Sequence, residues 1–145
     1  MKIKRLDHIG INVIDLPKAK QFFVDLGMEV VMEMRMEGEL VEKVIGLTNV
    51  VDDMVMLKAP EGDAMIELVK FHSPIDEKGL QTSESNTLGL RHFCLAVEDI
   101  DAMVSMLHKK GYELVGEMQS YQNIYKLCYV RGPEGIIVEI AEKIG

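Results

Sequence analysis

Residues 6–31 read LDHIGINVIDLPKAKQFFVDLGMEVV, and residues 90–115 read LRHFCLAVEDIDAMVSMLHKKGYELV. The two stretches align without a gap, and seven of their 26 positions are identical. Average residue usage would give roughly one or two identities by chance. The identical pairs include His8 with His92, and many of the other pairs are apolar in both copies. We therefore predict that the chain is an internal duplication.

A second, shorter match lies near the end of each half. The tripeptide Pro-Glu-Gly at 60–62 leads to Met-Ile-Glu-Leu, and the same tripeptide at 133–135 leads to Ile-Val-Glu-Ile. The distance from the tripeptide to the glutamate differs by one residue between the two halves, a difference that a turn can accommodate. Each half therefore carries a histidine near its start and a glutamate, Glu67 or Glu139, near its end.

The two halves are separated by a polar stretch, residues 72–88, which is too long for an ordinary connection inside a compact unit. We therefore predict an N-terminal module at 1–71, a linker at 72–88 and a C-terminal module at 89–145. The two modules are expected to form one structural domain.

The order of elements is the same in both modules. An apolar, β-branched stretch, 3–13 or 89–97, predicts a first strand. Asp15 and Asp99 then suit the N-caps of two helices, which Gly27 and Gly111 end.

Three further strands are predicted after each helix, at 30–37, 51–58 and 64–71 in the first module and at 112–119, 124–131 and 136–142 in the second. Each module is therefore βαβββ, and the fold class is α+β. Because one helix leaves a face of a four-stranded sheet uncovered, we expect the two modules to pair into a curved, partly open eight-stranded sheet around a metal-binding cavity. Segment 38–49 has no counterpart in the second half, and it is predicted to form a short helix that is either a mobile flap or a packed surface helix.

The composition narrows the classes of function. The chain has 145 residues and a net charge of −8, and its few basic residues are scattered, so a nucleic-acid partner is not expected. No apolar stretch approaches the ~20 residues of a membrane span, and no apolar segment follows the basic N-terminus as in a secretory signal. Cys94 and Cys128 lie in apolar runs, which suits reduced thiols in a cytoplasmic protein.

Four side chains are candidates for metal binding. His8 and His92 are equivalent by the repeat, and so are Glu67 and Glu139. Inward-pointing residues from equivalent strands of paired modules can converge on one point. Two imidazoles and two carboxylates suit a divalent transition metal, and two buried carboxylates would repel each other without a cation. We therefore predict that His8, Glu67, His92 and Glu139 bind one metal ion.

The two-module pattern with these four residues in place resembles the vicinal-oxygen-chelate superfamily, the glyoxalase, bleomycin-resistance and extradiol-dioxygenase group. The segments DHIGINVID, RHFCLAVED and YVRGPEGIIVEIAE carry the resemblance, which covers nearly the whole chain. It implies a metal-dependent lyase or isomerase of the glyoxalase I type, which moves a proton on a small substrate that chelates the metal through adjacent oxygens. Glu139 is then the first candidate base and Glu67 the second. The implied metal is Ni, Zn, Co or Mn, with Fe less favoured, and the implied assembly is a homodimer.

Some features depart from the glyoxalase I pattern. The stretch after the first histidine, residues 9–13, lacks the arginine that glyoxalase I usually has for the carboxylate of glutathione. The substrate and its binding residues therefore stay open. The alternatives are an acyl-CoA epimerase, a thiol transferase to an antibiotic epoxide, a ring-cleaving dioxygenase or a ligand-sequestering protein without catalysis.

Other histidines and polar side chains of the chain bear on the surroundings of the site. His72 follows the strand of Glu67 and is either at the mouth of the cavity or in a solvated loop, whereas His108 lies in the last turn of a helix and is assigned no function. The side chains that could reach a polar ligand are Tyr121, Tyr125, Tyr129 and Arg131.

Overall fold

Each half of the duplicated chain forms its own β-sheet. The computed structural model describes all 145 residues and divides into two units, Met1–Gly79 and Leu80–Gly145. The first sheet has four strands and the second has five, and neither closes into a barrel. The predicted fold class, α+β with two βαβββ modules, is confirmed, and the prediction of eight strands is short by one strand in the second unit.

The first unit contains, in chain order, β1 (His8–Asn12), α1 (Leu16–Asp25), β2 (Glu29–Glu37), α2 (Glu39–Ile45), β3 (Val51–Lys58) and β4 (Met65–Ser73). The order of strands in its sheet is β1-β4-β3-β2. Strands β1 and β4 are parallel, and the other neighbours are antiparallel. The first and last strands of the unit therefore lie side by side.

Local sequence explains α1. The Asp15 carboxylate accepts a hydrogen bond from the backbone N–H of Lys18 at 3.0 Å, which satisfies an otherwise unpaired donor of the first turn. Pro17 fits the first turn because it has no N–H to lose. Gly27 has a φ of +104° just after the helix, a conformation that glycine adopts without strain. The predicted cap and stop of this helix are confirmed.

The core of the first unit lies between α1 and the sheet. Phe22 and Phe23 are at most 1% exposed, and their rings meet edge to face with centroids 5.1 Å apart. Leu57 and Leu68, from β3 and β4, are fully buried. Because side chains alternate along a strand, Met56 and Glu67, which directly precede these two leucines, point to the other face of the sheet.

The unmatched segment 38–49 does contain a helix, α2. Val41 is buried, whereas Leu40 and Val44 are 77% and 75% exposed. The predicted short helix is therefore confirmed, and it presents apolar side chains to solvent.

The second unit contains β5 (His92–Ala96), α3 (Ile100–Lys109), β6 (Glu113–Leu114), β7 (Gln119–Tyr121), β8 (Tyr125–Arg131) and β9 (Ile137–Lys143). Its strands are ordered β5-β9-β8-β6, with β7 paired to another part of β8. Asp99 caps α3 by accepting from the backbone N–H of Ala102 at 2.9 Å. Strands β5 and β9 are parallel neighbours, as β1 and β4 are in the first unit.

One predicted strand, 112–119, is wrong in its extent. The chain pairs with β8 only at the two residues of β6 and again at β7, with Gly116 between them. Glycine weakens a strand because it has no side chain to pack. Gln122 and Asn123 both have positive φ and turn the chain from β7 directly into β8, so this part of the strand forms a separate hairpin. None of the α-helices has the length and apolarity that crossing a membrane requires.

Candidate metal centre

The first candidate pair lies on the parallel strands β1 and β4. His8 is opposite Met65, and Glu67, two residues further on, is opposite Gly10. Both side chains lie on the sheet face away from α1, and a Cβ at Gly10 would meet nothing within 4 Å, so there is open space beside Glu67. The Nε2 atom of His8 is 3.9 Å from Oε2 of Glu67.

Asp7 orients the first histidine. Its Oδ2 atom lies 2.8 Å from Nδ1 of His8, where the ring N–H donates to the carboxylate. This hydrogen bond, with help from Arg5, lowers the pKa of Asp7. Metal-binding histidines commonly make such a bond with one nitrogen, which leaves the other free for the metal. Asp7 is not among the site residues predicted from the sequence, although its place directly before His8 is a usable signal.

The second pair repeats the first in register. His92 is opposite Ile137 on parallel strands β5 and β9, and Glu139, two residues on, is opposite Cys94. The Nε2 atom of His92 is 3.3 Å from Oε2 of Glu139. Equivalent residues of the duplication therefore stand in the same relation within each unit.

Tyr129 is a third polar group at the second pair. It lies opposite Glu139 on the antiparallel strand β8, and its hydroxyl is 3.2 Å from Nε2 of His92. The two rings are 4.7 Å apart between centroids. Burial raises the pKa of the Tyr129 hydroxyl, and the charge of Glu139 adds to this effect. The tyrosine is thus a neutral hydrogen-bonding group beside the candidate ligands.

Neither pair is deeply buried. The side chains of His8 and His92 are 41% and 36% exposed, and those of Glu67 and Glu139 are 27% and 20% exposed. The apolar neighbours of these residues in the sequence predict a more buried position for all four side chains. Cys94, beside Glu139, is a protonated thiol at neutral pH, because burial and then the charge of Glu139 raise its pKa to about 11.

The chain brings each histidine to its own glutamate. No group of three or more His, Cys, Asp and Glu side chains is arranged to hold a metal ion. Each pair offers one imidazole and one carboxylate, and this donor chemistry suits a divalent first-row ion. Such ions usually take at least three protein ligands, so one pair alone supplies too few.

The other candidates have local partners. His72 lies 2.7 Å from Oδ2 of Asp53, and His108 lies 2.9 Å from Oε1 of Glu113. The guanidinium of Arg131 donates to the backbone carbonyl of Ser83 at 2.8 Å, which ties the linker segment to β8. Of the tyrosines considered from the sequence, only Tyr129 is joined to a candidate ligand.

The family of the protein is shown by a match that spans almost the whole chain. Residues 5–140 match the model of the Glyoxalase/Bleomycin resistance protein/Dioxygenase superfamily. The chain belongs to this superfamily. The resemblance stated from the sequence is therefore confirmed at the level of the superfamily.

Several relatives of this superfamily protein match it over almost their full length. A glyoxalase family protein from Bacillus cereus is 40% identical, with a TM-score of 0.95, covering 100% of this chain and 97% of that chain. A glyoxalase family protein from Enterococcus faecalis is 25% identical, with a TM-score of 0.66, covering 98% of this chain and 100% of that chain. YwbC of Bacillus subtilis (strain 168) is 27% identical, over 97% of this chain and 98% of its own.

Proposed function

We propose that the protein is a divalent-metal-dependent lyase or isomerase of the glyoxalase I type, in which one ion takes His8, Glu67, His92 and Glu139 as ligands. The observation that carries this proposal is the repeated register. In each unit the histidine begins one strand, and the glutamate lies near it on the neighbouring parallel strand. Two such pairs give the four donors that neither pair has alone.

In both pairs the Nε2 atom of the histidine, which would bind the metal, faces the carboxylate of the glutamate. The hydrogen bond from Nδ1 to Asp7 leaves Nε2 of His8 directed to the side of Glu67. At the second pair, Nε2 of His92 faces both Glu139 and the hydroxyl of Tyr129. A bound ion would supply Lewis acidity to adjacent substrate oxygens.

The carboxylates are the proton-moving groups in this proposal. Glu139 is the first candidate base and Glu67 the second, since an Oε atom of each lies 3.3 Å and 3.9 Å, respectively, from the Nε2 atom of its paired histidine. A base works when it lies within hydrogen-bond reach of the proton that it removes. The Tyr129 hydroxyl, opposite Glu139, is placed to hold an oxygen of the substrate on the same side.

We propose a small molecule with neighbouring oxygens as the substrate, and Ni, Zn, Co or Mn as the ion.

A homodimer is also proposed, because large apolar side chains are exposed on β2 and α2. They include Val30, Val31, Leu40 and Val44. The free cysteines suit a reducing compartment, so we place the protein in the cytoplasm.

The test is hemithioacetal turnover by purified protein before and after chelator treatment. The proposal expects activity that disappears with the chelator and returns with a divalent ion. Glu139→Gln should keep the fold and lose the turnover, and the exposed Glu61→Gln serves as the matched control. Absence of turnover in protein with restored metal would reject the glyoxalase-type reaction.

A further inference from the structure

The sheet of the first unit has a face lined by methionine. Strand register places Met32 opposite Met56, and Met34 opposite Met54. Met56 in turn lies opposite Glu67 on β4. We call this surface the methionine face, and its six methionines are Met32, Met34, Met36, Met54, Met56 and Met65.

Part of the methionine face is accessible. Met54 and Met56 are each 7% exposed and pack with Val69, whereas Met32 and Met34 are 43% and 44% exposed. Methionine side chains are flexible and polarisable, and they are common on surfaces that adapt to apolar ligands. The methionine face therefore has a packed, buried part on β3 and an exposed apolar part on β2.

Two carboxylates lie on this face, Glu67 opposite Met56 and Asp52 further along β3. Asp52 lies opposite Met36 on β2 and opposite Phe71 on β4. It is 4% exposed and is the only charged residue that is buried. No hydrogen bond or ion pair joins its side chain to another residue of the chain. The next residue, Asp53, points to the other face and is bound by Arg35 and His72.

The small exposure of Asp52 deprives a charged carboxylate of much of its hydration, but its oxygens are not completely enclosed and stay within reach of a ligand. Burial raises the pKa of Asp52, and the charges of Glu67 and Asp53 raise it further, while His72 opposes them. Its charged surroundings are therefore mainly negative. A cation that reaches Asp52 would supply the missing partner and would be attracted by the neighbouring carboxylates.

We propose that the methionine face binds an amine, with the apolar body of the ligand on the methionines and its ammonium group on Asp52. Binding itself does not depend on a metal, but the identification of this amine with the substrate rests on the proposed function. Phe71, opposite Asp52, is four residues along β4 from Glu67, a separation of about 13 Å along the strand. The substrate class is thus an apolar amine whose chelating oxygens lie at the end far from its nitrogen.

The test uses metal-free protein labelled with ¹³C at the methionine methyl groups. It is titrated with 2-phenylethylamine, with the neutral 2-phenylethanol and with the anionic 3-phenylpropanoate, all of similar size. We expect the amine to bind about tenfold more tightly than the alcohol, as one charge-assisted hydrogen bond allows, and to shift the methyl signals of Met36 and Met54. The anion should bind more weakly than the alcohol.

Two variants test whether Asp52 causes the preference for the amine over the alcohol. Asp52→Asn should abolish the preference for the amine, whereas Glu37→Gln, which removes a charge from exposed Glu37 on β2, should keep it. Equal affinity for amine and alcohol, absence of binding by every probe, retention of the preference in Asp52→Asn, or its loss in Glu37→Gln would each overturn the proposal.

A stability measurement separates a ligand-binding role from a structural one. Because Asp52 has no partner in the chain, Asp52→Asn should melt at the same temperature as the wild-type protein or higher. A clear fall in Tm would show that the carboxylate holds the fold together and would overturn the proposal. Since these experiments use metal-free protein, failure of metal binding or turnover would leave their outcome readable, and failure of amine binding would leave the proposed metal chemistry standing.

Discussion

The imidazole of His92 lies 3.3 Å from the carboxylate of Glu139, and the two residues belong to neighbouring parallel strands. The same strand relation joins His8 to Glu67 in the other unit. A duplicated module that places its first and last strands side by side therefore generates a histidine–glutamate pair twice. The proposed four-ligand set follows from this repetition.

Asp7 should strengthen metal binding without being a ligand. Asp7→Asn removes the carboxylate that accepts from Nδ1 of His8, so the imidazole becomes less basic and less fixed. We expect metal affinity to fall by about ten- to a hundredfold, measured by competition with a chromophoric chelator. Asp63→Asn, at an exposed turn position, is the control. Unchanged affinity in Asp7→Asn would contradict this role for Asp7.

Asp53 should stabilise the first unit in a pH-dependent way. Its hydrogen bonds with Arg35, and then with His72, hold the pKa of the carboxyl well below its usual range. The folded state therefore favours the charged form, and the stabilisation is present above about pH 4 and is lost as the pH falls further. Urea unfolding of Asp53→Asn should show a lower free energy of unfolding at pH 7, and the difference from wild type should shrink in acid. A difference that grows towards low pH would contradict this account.

The buried side chain of Leu68 should contribute strongly to the free energy of unfolding of the first unit. It is fully buried between the sheet and α1, so Leu68→Ala leaves a cavity as well as losing apolar contact. We expect a loss of about 2–5 kcal/mol in the free energy of unfolding, measured by denaturant titration. The same change at Leu40, which is 77% exposed on α2, should cost no more than about 0.5 kcal/mol. Similar losses at the two positions would mean that the core is placed wrongly.

Much of the fold could be predicted because its signals are local. Aspartate before each helix, glycine after it, and apolar spacing within it act over a few residues, and Asp15, Asp99 and Gly27 behave as expected. The split of segment 112–119 was missed because it depends on where a short hairpin pairs with β8, which is a contact between distant residues.

The candidate site could be predicted only as a set of residues. The repeat identifies the two histidines and two glutamates, but it does not give distances or exposure. The contact of Tyr129 with His92 depends on the register of β8 against β9, and the burial of Asp52 depends on its neighbours in two other strands. A single pass along the sequence contains none of this information.

Counting the metal ions in protein purified after reconstitution with a divalent metal tests whether His8, Glu67, His92 and Glu139 bind one ion. We predict one ion per chain, because the proposed ion takes ligands from both pairs. We also predict that Glu67→Gln and Glu139→Gln each remove nearly all of the metal. Two ions per chain, with each variant losing only one of them, would show that the pairs act separately, and protein that holds no metal would contradict the claim altogether.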